Sequence, residues 1–163
     1  RVDIRERMAQ EQTLVSLDKK NRDFSFAMEC DDSAAIWGDS QRLLQVLINL
    51  ISNARDASQP GATITLAARI VDGEVQLSVT DAGIGIPNAI KSRVFDPFFT
   101  TKEAGEGTGL GLSLVFSIVE DLEGNIDIIS PLDRARGTGT QVLLRFPCYD
   151  SRRHAHAKNS NAP

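Results

Sequence analysis

Two asparagines and an aspartate lie at helical spacing in one segment of the sequence. Asn49 and Asn53 are four residues apart, and Asp56 follows three residues after Asn53. Side chains at such intervals project from one face of a helix. Amide oxygens are hard ligands that Mg²⁺ accepts while it keeps much of its water shell. A polar helix face in contact with solvent would show the same row, so this segment alone leaves both interpretations open.

A carboxylate followed by spaced glycines is the second candidate, in the stretch Asp81-Ala82-Gly83-Ile84-Gly85-Ile86-Pro87. Asp81 comes at the end of a predicted strand, where its carboxylate can accept a hydrogen bond from an exocyclic amine. Gly83 and Gly85 have no Cβ, which lets the backbone approach a flat ring. In a buried site this carboxylate would discriminate adenine from a purine that lacks the amine. A turn after a hairpin is the alternative explanation of so short a motif.

Glycines are concentrated at the start of a predicted helix, in residues 105–113. Each glycine inside a helix costs roughly 1 kcal/mol relative to alanine. Proteins tolerate this where free backbone N–H groups wrap a phosphate at the positive end of the helix dipole. The stretch lacks the ending of a P-loop, and no strand directly precedes it as in a dinucleotide fingerprint. A flexible linker is disfavoured because an apolar helix follows at once.

An aromatic segment, Phe95-Asp96-Pro97-Phe98-Phe99-Thr100-Thr101-Lys102, lies between the two glycine motifs. Its phenylalanines and proline predict an anchored hinge, and Lys102 beyond it could reach a terminal phosphate. The phenylalanines could equally be ordinary core residues, and a lysine on a charged loop is often simply solvated. Residues 96–108 have no periodicity, so we expect a mobile loop there.

Periodicity and turn residues predict the elements that position these motifs. Asp39 or Ser40 caps a helix whose apolar stripe recurs at helical spacing: Leu43, Leu47, Leu50, Ile51 and Ala54. Two alternating runs, 62–71 and 74–80, are joined by Asp72-Gly73, which is a strong hairpin signal. Further strands are predicted near 24–28, 125–130 and 140–146, and further helices over 2–17, 88–94 and 109–123, the last ending at Gly124. This order predicts an α/β two-layer sandwich.

Length, charge and cysteine content limit the class of protein. The chain has 163 residues, enough for one domain with a single core. Its net charge of −4 argues against nucleic-acid binding, which requires a basic face. Cys30 and Cys148 have no partner motif and fit a reducing cytosol. No apolar run approaches the length of a membrane span, and because the chain begins at Arg1 rather than Met we expect a fragment of a longer protein.

In this order and spacing, the motifs resemble the catalytic domain of bacterial sensor histidine kinases. Residues 47–54 are similar to the N box of that family, 81–85 to its G1 box, 95–99 to its F box and 107–112 to its G2 box. The resemblance covers residues 37–147, and four boxes in order are specific although each alone is modest. The sequence Phe-Phe-Thr-Thr-Lys ahead of the G2 box is similar to kinases of the nitrogen-regulation and dicarboxylate-sensing type.

The resemblance implies the Bergerat fold shared with gyrase, Hsp90 chaperones and mismatch-repair ATPases, with a mixed sheet on about three helices and a mobile ATP lid. It implies ATP and Mg²⁺ as cofactors, with Asn53 on Mg²⁺, Asn49 on phosphate or metal, and Asp81 on the adenine amine. Thr140 matches the position that reaches adenine beside the aspartate, commonly through water. Asn49 and Lys102 are the residues expected to act in catalysis. The set expected at the nucleotide is Asn49, Asn53, Asp56, Ala57, Asp81, Gly83, Ile84, Gly85, Ile86, Phe98, Thr100, Thr101, Lys102, Gly107, Thr108, Gly109, Leu110, Gly111, Leu112 and Thr140.

Two positions of the N box refine this expectation. The ATPase relatives have a glutamate at the position of Asn49, where it is the general base for the attacking water. An amide cannot take a proton near neutral pH, so the resemblance implies a kinase rather than a rapid ATPase. A gyrase- or chaperone-type ATPase, an anti-sigma-type serine kinase and a non-catalytic binding module remain the alternatives. Many family members also have a stacking aromatic after the N box, where this chain has Asp56-Ala57; we expect an open purine pocket, walled by Ile86 and Leu112, with modest affinity.

The nucleophile is expected outside this chain. The family phosphorylates a histidine on a dimeric helical hairpin, whereas His154 and His156 lie in a polar tail without such a motif. We expect residues 1–22 to be a linker and the end of a preceding dimerisation helix, 23–147 the catalytic ATP-binding domain, and 148–163 a disordered tail. The implied partners are the histidine-bearing dimerisation domain, a response regulator and a second copy in a full-length homodimer. This domain would then be cytoplasmic, in a protein that can be membrane-anchored.

Overall fold

The computed structural model describes residues 1–19, 23–100 and 111–150. The elements follow in the order β1 (Val2–Asp3), α1 (Ile4–Leu17), β2 (Ser25–Cys30), β3 (Ala35–Ile36), α2 (Ser40–Ala57), β4 (Thr63–Val71), β5 (Glu74–Asp81), α3 (Asn88–Lys91), α4 (Gly111–Asp121), β6 (Asn125–Ile129) and β7 (Thr140–Pro147). The two-residue strands β1 and β3, which pair with each other, were not predicted because so short a strand has no periodicity. Across the described residues, no helix is long and apolar enough to cross a membrane.

A five-stranded mixed sheet forms one layer, in the order β2-β4-β5-β7-β6. β2 is parallel to β4, and the other neighbours are antiparallel. The β4–β5 hairpin turns at Asp72 and Gly73, whose φ angles are 50° and 80°, as the predicted turn type requires. Val75, Leu77 and Val79 of β5 are buried in the core, and the same alternation places the Asp81 side chain on the core face at the end of the strand. The predicted α/β two-layer sandwich is confirmed.

Helix α2 forms the centre of the helical layer. Its N-cap Asp39 accepts a hydrogen bond from the Gln41 N–H at 2.8 Å. Its apolar stripe is buried in the core: Leu43, Val46, Leu47, Leu50, Ile51 and Ala54. α2 packs beside α1 and α4, and Arg42 forms a 2.6 Å ion pair with Asp121 of α4. This packing fixes the polar flank of α2 next to the start of α4.

Helix α1 belongs to the packed domain. Ile4, Met8 and Val15 lie in the same core cluster as the stripe of α2, and Asp3 caps the helix by accepting the Glu6 N–H at 3.1 Å. The packed part of the chain therefore includes residues that lie before the predicted boundary at residue 23. That residues 1–22 are a linker and the end of a preceding dimerisation helix stays a prediction.

Helix α4 ends near the predicted Gly124, and the structure shows why glycine is needed at that position. Gly124 was predicted as the stop of this helix, and the residue with a positive φ at its end is Glu123, with a φ of 58°. A Cβ on Gly124 would lie 2.6 Å from ring carbons of Phe146. Glycine is required there by close packing against β7, since the neighbouring residue already makes the turn. α3 is also shorter than predicted, at Asn88–Lys91.

Candidate functional site

The two asparagines of α2 lie on its polar flank, and both are half-buried. The Asn49 Nδ2 donates to the Gln45 carbonyl at 2.8 Å, which directs its Oδ1 away from that helical turn. This oxygen faces the first residue of α4, because a Cβ on Gly111 would lie 3.3 Å from it. Asn49 therefore presents a hard oxygen between α2 and the start of α4, in keeping with a metal or water ligand.

The end of α2 contacts the loop that follows Asp81. The Ala57 carbonyl accepts the Ile84 N–H at 3.0 Å. Asp56 is paired with Arg55, whose Nη2 lies 3.0 Å from its Oδ1. The end of α2, three residues beyond the predicted N box, is thus joined by a backbone hydrogen bond to the predicted G1 box.

Asp81 is the buried carboxylate of the site, with 7% of its surface exposed. Its Oδ1 accepts the Gly83 N–H at 2.8 Å. Burial raises the pKa of the Asp81 carboxyl above its ordinary value, and the Gly83 hydrogen bond opposes this to a smaller extent. Among the described residues Oδ2 accepts no hydrogen bond, so this oxygen can accept one from a donor in the pocket.

The glycines of this loop are required by contacts within the protein. A Cβ on Gly83 would lie 2.2 Å from the Ala57 carbonyl oxygen, and one on Gly85 would lie 2.6 Å from that of Gly137. Gly85 also has a φ of 74°. The prediction that these glycines admit a flat ring is not tested, but their backbone contacts are sufficient to exclude a side chain.

Ser130 joins the loop to β7 and was missed in the sequence. It is 4% exposed, and its Oγ accepts the Ile86 N–H at 2.7 Å. The same Oγ lies 2.9 Å from the Gly139 carbonyl oxygen and 3.0 Å from the Thr140 Oγ1. A single serine that follows a strand has no pattern from which these contacts could be predicted.

Thr140 begins β7 opposite Asp81, since the two residues are register partners. Both are buried, with Thr140 6% exposed. Asp81 and Thr140 are therefore neighbours on one face of the sheet. Whether Thr140 contacts adenine stays a prediction.

The predicted apolar walls and hinge are partly exposed. Ile86 and Leu112 are half-buried, while Ile84 is 71% exposed. Of the aromatic segment, Phe95 packs against Phe116 with ring centroids 5.5 Å apart, and Phe99 lies under the Arg93 guanidinium at 4.9 Å.

Phe98 is the exception within the hinge. It is 74% exposed and has a φ of 65°, so it is not a core residue. Thr100, two residues further on, is also exposed.

The remaining expected site residues lie outside the described part of the chain: Thr101, Lys102, Gly107, Thr108, Gly109 and Leu110. His154 and His156 lie outside it as well.

The described site is therefore a corner in which three segments meet. The polar flank of α2, the loop after β5 and the start of β7 are joined by backbone hydrogen bonds, including Gly139 N–H to the Gly83 carbonyl at 2.8 Å.

A family model described as histidine kinase-, DNA gyrase B-, and HSP90-like ATPase matches residues 38–150. The chain belongs to this family.

Relatives within this ATPase family include named sensor kinases. Sensor histidine kinase ZraS of Escherichia coli (strain K12) is 38% identical over 135 residues, which are 82% of this chain and 28% of ZraS. The chain thus spans less than a third of that relative's length. The predicted resemblance to sensor histidine kinases is confirmed, whereas the nitrogen-regulation type stays a prediction.

Solved structures in the family agree with the fold. The nucleotide-free catalytic domain of histidine kinase ThkA has a TM-score of 0.78 and 30% identity, covering 90% of this chain and 93% of that chain. ThkA in complex with response regulator protein TrrA has a TM-score of 0.74 and 27% identity, covering 91% and 41%. Full-length ShkA in complex with AMPPNP has a TM-score of 0.77 and 26% identity, covering 92% and 31%. Membership of this ATPase family therefore supports ATP binding by this chain.

Proposed function

We propose that this chain is the catalytic domain of a sensor histidine kinase, which binds Mg·ATP and donates the γ-phosphate to a histidine on a separate dimerisation domain. The observation that carries this proposal is the residue on α2 where ATPase members have glutamate. Asn49 stands there, and its amide nitrogen is already engaged with the Gln45 carbonyl. The site thus has an oxygen ligand but no base to activate water at this position.

Each described residue then has a separate task in binding. Asp81 accepts a hydrogen bond from the adenine amine through its free oxygen, and Asn49 and Asn53 present oxygens toward Mg²⁺ and the phosphates. Mg²⁺, when bound, neutralises phosphate charge. Lys102 and the G2 glycines are proposed for the terminal phosphates. Catalysis rests on positioning and charge neutralisation rather than on a covalent intermediate in this domain.

The partners follow from the same proposal. The nucleophile is a histidine of a dimerisation domain, which makes the full-length protein a homodimer. The complex of ThkA with TrrA supports a response regulator as the next acceptor, and the complex of ShkA with AMPPNP supports an adenine nucleotide in the pocket. Both complexes support a role for the chain in two-component signal transduction.

Incubation with radiolabelled ATP and the histidine-bearing domain of the parent protein tests the proposal. Label on that domain that is lost in acid and kept in base supports phosphohistidine. The same domain with its histidine replaced by glutamine is the control and should stay unlabelled. Steady release of free phosphate without labelled protein would contradict the kinase and favour the ATPase alternative.

A further inference from the structure

Ser130 connects three parts of the nucleotide corner through one hydroxyl group. Its Oγ is within 3.0 Å of the Ile86 N–H, the Gly139 carbonyl and the Thr140 hydroxyl. A hydroxyl has one proton to donate and two lone pairs with which to accept. The Ile86 N–H occupies one lone pair of the Ser130 Oγ. The single Ser130 proton can then go either to the Gly139 carbonyl or to the Thr140 hydroxyl.

Two arrangements of the hydroxyl protons satisfy the distances. In the first, Ser130 donates to the Gly139 carbonyl and accepts from the Thr140 hydroxyl. In the second, Ser130 donates to Thr140, and the Thr140 proton then has no acceptor among the described residues. A buried donor without a partner costs free energy. Because Thr140 is 6% exposed, the first arrangement is favoured.

The Gly139 carbonyl can accept this proton. It already accepts the Leu132 N–H at 3.1 Å, and a carbonyl oxygen has two lone pairs. The first arrangement therefore fills both lone pairs of the Gly139 carbonyl and gives an acceptor to the Ile86 N–H and to the hydroxyl protons of Ser130 and Thr140. Thr140 is left with unused lone pairs and no free proton.

We infer that Ser130 is a specificity-determining positioning residue, which holds the proton of Thr140 and so makes the Thr140 hydroxyl a hydrogen-bond acceptor beside Asp81. Two acceptors then stand side by side, because Asp81 and Thr140 are register partners at the end of the sheet. An exocyclic amine offers two N–H donors. A purine 6-carbonyl offers only lone pairs, which both acceptors repel.

This inference rests on the proposed function, since it concerns how the site selects a 6-aminopurine nucleotide. Ser130 also fixes the loop mechanically through the Ile86 N–H. The two roles differ in their consequence for ligands. Loss of a mechanical role weakens every nucleotide equally, whereas loss of proton control weakens only ligands that have the 6-amino group.

Calorimetric titration of this chain with three nucleotides separates the two roles. ATP carries the amine, ITP carries a 6-carbonyl and purine riboside triphosphate has neither. Ser130→Ala should lower ATP affinity roughly three- to tenfold, the size expected for one hydrogen bond, and leave the affinity for purine riboside triphosphate nearly unchanged. Ser78→Ala is the matched control, because Ser78 is buried at 8% exposure but lies on the opposite face of β5, and it should change neither.

Thr140→Val supplies a second, independent variant if Ser130→Ala does not fold. It removes the acceptor and should reduce the ratio of ATP to purine riboside triphosphate affinity by a similar factor. In a Thr140→Val background, Ser130→Ala should not reduce the ratio further. An equal loss for all three nucleotides, or an unchanged ratio in Thr140→Val, overturns the inference. Failure of the unsubstituted chain to bind any nucleotide would instead overturn the proposed function.

Discussion

Replacing Asp81 with asparagine should affect nucleotide binding and protein stability in opposite directions. The asparagine can still accept the Gly83 N–H, which lies 2.8 Å from Oδ1 in the native protein. Its amide nitrogen would occupy the position of Oδ2 and would meet the adenine amine as a second donor. A hydrogen bond to a charged group contributes about 1.5–3 kcal/mol, so ATP affinity should fall roughly 10- to 150-fold.

Stability should be maintained or increased by the same change. Burial raises the pKa of the Asp81 carboxyl, which means that the charged form is disfavoured in the folded protein. A neutral amide removes this cost while it keeps the shape and the Gly83 hydrogen bond. The free energy of unfolding near neutral pH should therefore be equal to or higher than that of the native chain.

The assays are titration calorimetry with ATP and urea unfolding of both variants, followed by circular dichroism. Asp72→Asn is the matched control, because Asp72 is exposed in the hairpin turn and asparagine tolerates its positive φ. Purine riboside triphosphate should bind Asp81→Asn with little loss, since it has no amine. Unchanged ATP affinity in a folded Asp81→Asn variant would refute the adenine assignment.

Three further predictions concern a core charge, a close contact and the metal. Burial raises the pKa of Glu11, which is 1% exposed and whose Oε1 has no hydrogen-bond partner among the described residues. The folded state therefore holds this proton more tightly than the unfolded state, and stability falls as pH rises from the ordinary carboxyl pKa through the raised one. Glu11→Gln should therefore raise the free energy of unfolding at about pH 8 and change it little at about pH 4. Urea unfolding at both pH values measures this, and a variant that is less stable than the native chain at about pH 8 would contradict it. Gly83→Ala should destabilise by about 1–3 kcal/mol, because its Cβ would meet the Ala57 carbonyl oxygen at 2.2 Å; unfolding at the native midpoint would contradict this. Asn53→Ala should weaken ATP binding in Mg²⁺ but not in EDTA, and an equal loss in both would reject the metal assignment.

Local sequence was sufficient to predict those helices and turns that a single repeating pattern or turn motif defines. The stripe of α2 and the Asp72-Gly73 turn could be predicted because helix periodicity and turn chemistry act between residues near in sequence. The same proximity made Asn49 and Asn53 recognisable as a row on one helix face. The order of the motifs then identified the family without any coordinates.

The tertiary structure decided what depends on residues that are distant in sequence. Ser130 lies 44 positions from Ile86, and a lone serine gives no sign of which N–H it will accept. Gly83 and Gly124 were recognisable as glycines, but only packing against Ala57 and Phe146 revealed why a side chain is excluded. Contacts of this kind form only when the sheet and the helices pack together. The sequence therefore determined which functional groups the protein has, and the fold determined which of these groups form hydrogen bonds or lie in close contact with one another.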